Sequence, residues 1–363
     1  MTALFISLIK KELILMLQLI QSKVREKQSI SLDEARFLYE KASLEELKPL
    51  ATEAKSHWHS PETATYLIMS ILNYTNICVA GCKYCSFYAF PHQKEAYLLN
   101  TDQVCQRIEA LLEFDPAVVS FNGGFHPHLK IDHYARLFET IHERFPQLTF
   151  FEMTVAEFLF VCKRSKISLH EGARLLKGSG TKWITGGGAE VLADSFRKRH
   201  SPGKFTVDQY FDAQQAVLEE GIGSTATMVI GFDETLEERF SHLERLRNFQ
   251  EQTGRKIPSF LCWTYKPYNN ALGGKEIEHE EYLRWLAISR LYLDNFSSIR
   301  TSVLTRNERA FEGFNYGAND FDLPVEDEVT QKAGATISHD FAKLLQLCEK
   351  TGFKPQKRDP YPV

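Results

Sequence analysis

The sequence lacks a dominant charge. Its 363 residues include 43 Lys and Arg against 47 Asp and Glu, which gives a formal net charge of -4. A protein that binds nucleic acid or an anionic membrane through its surface field carries a large excess of basic residues. We therefore expect neither partner, and we expect a small-molecule substrate instead.

The sequence also lacks an uninterrupted apolar run of the roughly 20 residues needed to cross a bilayer. The amino-terminal stretch comes nearest, but Lys10, Lys11 and Glu12 interrupt it. This stretch has no small-residue cleavage site of the kind that follows an export signal. We expect a cytoplasmic protein without membrane insertion, and we interpret residues 1–15 as an extension upstream of a start at Met16.

No Pro-rich or Gly/Ser-rich linker divides the chain. From residue 60 onward, short β-branched or aromatic runs alternate with longer amphipathic stretches, which is typical of repeated βα units. Strands are predicted at 66–72, 118–121, 149–155, 183–185, 224–230, 259–265, 300–304 and 314–317. The sequence therefore predicts an α/β fold, a (βα)8 barrel of the TIM type over residues 61–363, with a carboxy-terminal helix and an amino-terminal helical extension over residues 1–60.

Three of the seven cysteines, Cys78, Cys82 and Cys85, lie within eight residues. Neither this crowding nor the odd total fits a secreted disulfide scaffold. A structural zinc site needs a fourth ligand at a matching spacing, and His92 lies too far beyond Cys85 to supply it. An electron-transfer cluster also takes four cysteines. Three thiolates instead leave one iron of a 4Fe-4S cluster open to a substrate or cofactor.

The segment CVAGCKYC at 78–85 resembles the signature of the radical S-adenosylmethionine superfamily. This resemblance implies that the open iron binds S-adenosylmethionine, which an electron from the cluster splits into a hydrogen-abstracting 5'-deoxyadenosyl radical. It also places Tyr84, directly before the last cysteine, beside the cofactor. The alternative from a different class is a zinc or iron-sulfur binding protein without turnover.

A closer resemblance runs from about residue 60 to the carboxy terminus. It rests on NYTN at 73, FY at 87, GGFHP at 123, GGGAE at 186, TATM at 225, ETLEER at 234, WTYKP at 263 and GANDF at 317. These segments resemble the futalosine-pathway branch of the superfamily. WT at 263, NDF at 319 and RD at 358 are more similar to the cyclic dehypoxanthine futalosine synthases than to the aminofutalosine synthases, which remain the alternative together with other nucleoside-modifying radical enzymes.

The resemblance implies a step of menaquinone biosynthesis. Hydrogen abstraction at C4' of the sugar of dehypoxanthine futalosine would be followed by intramolecular carbon-carbon bond formation onto the aromatic ring. An external one-electron donor such as flavodoxin or ferredoxin would supply the electron. The sequence departs from the family pattern at Phe232, where a histidine is common, and at 322–324, where Asp-Leu-Pro replaces a stretch of small residues.

Candidate site residues follow the predicted strands. The resemblance places Gly123 and Gly124 at the methionine end of the cofactor, although a tight turn explains two glycines equally well. Glu157 and Glu190 are candidates for hydrogen bonds from a ribose diol. Arg197 is a candidate partner for a carboxylate. Exposed surface positions are the alternative for these charged side chains.

Substrate contacts are expected from His126, Trp263 and Tyr265, through hydrogen bonding or ring stacking. The alternatives are a solvated loop histidine and ordinary core aromatics. The cyclisation also needs a proton acceptor, and we consider Asp320 and Asp233 as candidates.

Overall fold

The computed structural model describes residues 2–361, with side chains from residue 13 onward. The interpretation of residues 1–15 as an extension falls mostly on residues 1–12, whose side chains lie outside the described part. No helix within residues 2–361 combines the length and the hydropathy that a bilayer crossing requires.

Three helices precede the first strand: α1 (Thr2–Arg25), α2 (Leu32–Lys41) and α3 (Leu44–Ser56). The strands are β1 (Thr63–Leu72), β2 (Val118–Phe121), β3 (Thr149–Phe151), β4 (Trp183–Ile184), β5 (Gly223–Ser224), β6 (Ala226–Ile230), β7 (Ser259–Thr264), β8 (Ser298–Thr301), β9 (Asp320–Asp327) and β10 (Lys354–Lys357).

The later helices are α4 (Thr101–Leu111), α5 (Ile131–Arg144), α6 (Val155–Ser165), α7 (Leu169–Gly178), α8 (Asp194–His200), α9 (Val207–Glu219), α10 (Leu236–Gln252), α11 (His279–Tyr292), α12 (Val303–Arg306), α13 (Glu328–Lys332) and α14 (Phe341–Lys350). Two 3-10 helices span Leu112–Phe114 and Asn307–Tyr316.

The strands are parallel and form the wall of a barrel. The main sheet has the order β3-β2-β1-β9-β8-β7-β6, so the first and last strands of the repeat lie side by side. β4 pairs with β5, which continues into β6 after one residue. A bridge between Thr154 and Thr185 links β3 to β4. The predicted α/β barrel of the TIM type is confirmed, with its weakest join between β3 and β4.

The prediction for the eighth strand was wrong. Residues 314–316 end a 3-10 helix, and Gly317 follows that helix as its cap. The strand is β9, which begins three residues later at Asp320. Asp320, Asp322 and Pro324 made this segment look unlike a strand. Pro324 is tolerated because it pairs with Met69 at the point where the register between β1 and β9 shifts.

The amino-terminal helices pack on the outside of the barrel. α2 begins at a capping box, in which Ser31 and Glu34 each accept a backbone hydrogen bond from the other residue. Lys55 of α3 is fully buried and donates to the carbonyl of Phe314 at 2.8 Å. Arg284 of α11 donates to the carbonyl of Tyr39 in α2. The extension and the barrel therefore share one hydrophobic core.

Arg290 of α11 is the buried side chain that fixes the start of β9. Its guanidinium donates to the carbonyls of Gly317 (2.8 Å) and Phe296 (3.1 Å) and to the Oδ1 atom of Asn319 (2.5 Å). These acceptors would lose their donor in Arg290→Met. We expect this variant to lower the free energy of unfolding by about 3 kcal/mol.

Thermal unfolding of the two proteins checks this expectation. The control is Arg245→Met, because Arg245 is partly exposed and pairs with the exposed Asp208. That change should cost less than about 1 kcal/mol. Equal destabilisation by the two variants would show that Arg290 does not have this role.

Candidate active site

A cavity of about 320 Å³ opens where the barrel strands end. Its wall includes residues of the segments that follow β1, β2, β3, β4, β6 and β7, and it also reaches down between the strands. The carboxyl ends of parallel barrel strands are where enzymes of this architecture place their reactive groups. The cavity is therefore the candidate active site.

Cys78, Cys82 and Cys85 all line this cavity, and they are free thiols. The loop that carries them is held by backbone bonds from Cys78 to Ala89 (3.0 Å) and from Cys85 to Cys82 (3.1 Å). Burial raises the pKa of each thiol, that of Cys82 to about 12. A metal centre is the positive charge that would convert buried thiols of this kind into thiolates.

The kind of metal centre follows from how ligands are arranged. Among the described residues, no group of three or more His, Cys, Asp or Glu side chains is placed to hold a metal ion. A structural zinc site would need such a group, because its four ligands surround a single ion. In an iron-sulfur cluster each thiolate binds its own iron, so three cysteines facing one cavity suit a cluster better.

Glu157 lines the cavity, and its two carboxylate oxygens join three strand ends. Oε1 accepts from the hydroxyl of Tyr74 (2.5 Å) and from the backbone of Gly123 (2.8 Å). Oε2 accepts from the backbone and the hydroxyl of Thr154, the residue that caps α6. Burial raises the pKa of Glu157 although these hydrogen bonds oppose the shift. Glu157, a candidate acceptor for hydrogen bonds from a ribose diol, therefore holds the segments after β1, β2 and β3 together at the mouth of the barrel.

Gly124 is required by the cysteine loop. A Cβ atom at this position would lie 2.3 Å from the carbonyl oxygen of Ile77 and 2.7 Å from the Cβ of Cys78. A Cβ atom at Gly123 would lie 2.4 Å from the ring of Tyr74. Both glycines line the cavity, and close packing of the protein on itself is sufficient reason for them.

Glu190 and Lys204 form an ion pair at the cavity wall. The ammonium group of Lys204 lies 2.8 and 2.6 Å from the two carboxylate oxygens of Glu190, and the hydroxyl of Tyr84 donates to the same carboxylate at 3.2 Å. Burial opposes the charge of Lys204, but the Glu190 carboxylate outweighs it and raises the pKa of the lysine. This pair places a charged, hydrogen-bonding group beside the thiols.

Arg197 lies behind this wall, outside the cavity lining. It is buried, and it donates to the carbonyls of Phe205 (2.7 Å), Gly188 (3.2 Å) and Ala189 (3.2 Å). The glycine-rich loop after β4 is thereby fixed. In these contacts Arg197 holds the backbone of the loop in place. None of them involves a carboxylate of the kind expected as its partner.

The three predicted substrate residues differ in their placement. Trp263 and Tyr265 line the cavity at the end of β7. The ring of Tyr265 packs on Phe232, with 4.5 Å between ring centroids, while its hydroxyl contacts Asn270. His126 does not line the cavity, and its Nδ1 atom accepts a hydrogen bond from the backbone of His128.

The two predicted proton acceptors lie away from the cavity lining. Asp233 is half exposed and pairs with His200 at 2.5 Å. Asp320 stands at the amino end of β9, opposite the mouth, between Arg300 and Arg358 at 2.9 Å each. Burial would raise the pKa of Asp320, but the two guanidinium groups hold it below the ordinary value. Neither carboxylate is brought to the thiols.

Several polar residues of the cavity were missed by the sequence analysis. They are Ser120, Thr185, Thr264, Lys266, Arg300, Asp322 and Asp327, which all line the cavity. The hydroxyls of Ser120, Thr185 and Thr264 have no hydrogen-bond partner, as is common where a ligand or water completes a site. For Ser120 and Thr264 the signal in the sequence was a polar residue inside an otherwise apolar strand.

Comparisons with known proteins agree with this site. Residues 72–246 match the radical SAM superfamily, and residues 257–361 match the CofH/MqnC C-terminal region. Solved structures with the same fold include methylornithine synthase, with a TM-score of 0.68 and 15% identity over 93% of this chain and 97% of that chain. The maturase HydG of [FeFe]-hydrogenase has a TM-score of 0.72 and 16% identity over 94% and 75%.

Among curated relatives, the cyclic dehypoxanthine futalosine synthase of Halalkalibacterium halodurans is 34% identical over 91% of this chain and 90% of its own length. That of Streptomyces coelicolor is 33% identical over 91% and 84%. The aminodeoxyfutalosine synthase of Thermus thermophilus is 30% identical over 94% and 93%.

The chain is a radical SAM enzyme, a class that uses a 4Fe-4S cluster and S-adenosylmethionine. Within that class it belongs to the family of the cyclic dehypoxanthine futalosine synthases.

Gly124→Ala tests whether the cysteine loop depends on this contact. The added methyl group must displace the backbone at Ile77 and, with it, Cys78. We expect the anaerobically reconstituted variant to hold about half the wild-type iron or less. The control is Gly178→Ala at the end of α7, where a methyl group meets nothing within 4 Å. Full iron content in Gly124→Ala would contradict the assignment.

Proposed function

We propose that this enzyme converts dehypoxanthine futalosine to cyclic dehypoxanthine futalosine, a step of menaquinone biosynthesis. The observation that carries the proposal is the family membership, since identity of 33–34% extends over 91% of the chain. The enclosed cavity supports it, because a carbon radical must be kept from water and from other C-H bonds.

Cys78, Cys82 and Cys85 hold the 4Fe-4S cluster in this proposal. All three thiols face the same cavity, and burial raises the pKa of each, so bound iron would favour their thiolate form. When bound, the cluster and S-adenosylmethionine supply a 5'-deoxyadenosyl radical that removes hydrogen from C4' of the substrate sugar. The residues of the chain bind and orient the two molecules around that event.

The cofactor lies between the cysteine loop and the glycine-rich loops. Gly123, Gly124 and Tyr84 face its methionine end, and Glu190 accepts hydrogen bonds from its ribose hydroxyls. Lys204 supports this role, because its ammonium group orients the Glu190 carboxylate at 2.6–2.8 Å. Glu157 and Arg197 contribute by fixing the loops that form the wall.

The substrate binds in the same cavity, at the carboxyl end of β7. Trp263 and the ring of Tyr265 supply an aromatic surface on which its benzoate ring stacks. His126 lies behind Gly124, whose carbonyl accepts a hydrogen bond from the His126 backbone at 2.8 Å. Its contribution to substrate binding is therefore through the position of this loop.

An external one-electron donor of the flavodoxin or ferredoxin class reduces the cluster. Val79, the residue after the first cysteine, is 40% exposed, and Lys83 is exposed on the same loop. The loop thus gives a partner a short path to the metal centre. A reducing, cytoplasmic environment suits such a cluster.

Cys82→Ala tests the proposed ligation. We expect it to lose most of the roughly four iron atoms per chain that the reconstituted wild type binds, together with the visible absorbance of the cluster. The matched control is Cys105→Ala, because Cys105 is buried in α4 and does not line the cavity. Equal iron content in the two variants would contradict the ligand assignment.

Anaerobic turnover tests the function itself. Reconstituted enzyme, S-adenosylmethionine, a reductant and dehypoxanthine futalosine should yield 5'-deoxyadenosine and a cyclic product lighter than the substrate by two hydrogen atoms. Mass spectrometry of the mixture checks both products. Formation of 5'-deoxyadenosine without the cyclic product would contradict the assigned substrate and leave the radical SAM class intact.

A further inference from the structure

Asp327 is a carboxylate at the mouth of the barrel whose chemical role is unassigned. It is the last residue of β9, it lines the cavity, and only 3% of its surface is exposed. It also caps α13, since its Oδ1 atom accepts from the backbone of Val329 at 3.2 Å. Its Oδ2 atom accepts from the hydroxyl of Thr330.

The register of the sheet places Asp327 at the level of the cysteine loop. It pairs with Ile71, one residue before the end of β1. The backbone of Glu328 donates to the side chain of Asn73, the residue that begins the loop, at 2.9 Å. Asp327 is therefore fixed near the point where the proposed radical is formed.

A second cavity carboxylate, Asp322, lies deeper. It pairs with Leu67 of β1, four residues below Ile71, which corresponds to about 13 Å along the strand. Burial raises the pKa of Asp322 as well, but the guanidinium of Arg300 pairs with this carboxylate and opposes the shift. Among the residues that the structure describes, Asp327 forms no ion pair, and it accepts hydrogen bonds from neutral donors.

The surroundings of Asp327 favour a carboxylate that can take up a proton. Burial raises the pKa of Asp327 to about 6, and the field of Glu326 on the same strand adds to the shift. Glu326 pairs with Arg107 of α4, while Glu328 and Lys332 of α13 pair with each other. A base with a pKa near the working pH combines an available charged form with useful basicity.

We propose that Asp327 is the general base of the cyclisation. This inference rests on the proposed function. When the C4' radical adds to the aromatic ring, the attacked ring carbon keeps its hydrogen and the ring loses aromaticity. Breaking that C-H bond restores the ring: the proton passes to the Asp327 carboxylate, and the remaining electron passes to the oxidised iron-sulfur cluster, which donated one electron at the start of turnover.

Asp327→Asn tests the inference, because asparagine is also a good cap and should preserve α13. The enzyme is incubated anaerobically with S-adenosylmethionine, reductant and dehypoxanthine futalosine. We expect substrate-dependent 5'-deoxyadenosine at the wild-type level, because hydrogen abstraction does not need the base. The cyclic product should fall by about 100-fold, the usual effect of losing a general base.

The pH dependence supplies a second readout. Below about pH 6 wild-type Asp327 becomes protonated, so the ratio of cyclic product to 5'-deoxyadenosine should fall there, while the variant should show no such step. A raised carboxyl pKa means that the folded state binds the proton more tightly than the unfolded state. As the pH rises from about 4, the ordinary pKa of an aspartate, to about 6, the wild type should therefore lose thermal stability relative to Asp327→Asn.

Glu326→Gln is the matched control, since Glu326 does not line the cavity; at pH 7.5, where Asp327 is charged with or without the field of Glu326, it should keep the wild-type product ratio. An Asp327→Asn enzyme that still forms both products in equal amounts would overturn the inference while leaving the proposed function in place. Loss of the cyclic product in Asp322→Asn but not in Asp327→Asn would assign the general base to Asp322 and would also overturn the inference. Absence of both products in the wild type would overturn the proposed function and the inference together.

Discussion

The carboxylate of Glu157 is the constraint on which the mouth of the barrel depends. It is almost fully buried, and it joins Tyr74 after β1, Gly123 after β2 and Thr154 after β3 through four hydrogen bonds. A buried carboxylate is stable only when such donors replace water. The same bonds therefore stabilise the charge and hold three strand ends in fixed positions.

The cysteine loop and the cavity depend on this arrangement. With Gly123 fixed, Gly124 meets the backbone at Ile77 closely enough that a side chain would not fit. The thiols then face a cavity bounded on another side by the Glu190–Lys204 pair. The carboxylates of Glu157 and Glu190 are each held by several donors, so these two parts of the wall are positioned before a ligand binds.

Sequence reasoning reached the fold class and the cysteine loop because both have local signals, namely alternating periodicity and close cysteine spacing. It missed β9 because Asp320, Asp322 and Pro324 contradict strand preferences. The arginines that pair with the two aspartates, Arg300 and Arg358, are distant from them in the chain. For the same reason Asp320 looked like a free base when it is ion-paired. Such pairings arise only from the folded barrel.

In the proposed reaction, the cavity directs a single hydrogen abstraction to C4' of the substrate sugar. The most direct measurement is turnover of the proposed substrate carrying deuterium at C4', followed by mass spectrometry of the 5'-deoxyadenosine formed. We predict that the 5'-deoxyadenosine carries the deuterium atom. Unlabelled 5'-deoxyadenosine accompanied by a cyclic product that retains the deuterium would contradict it.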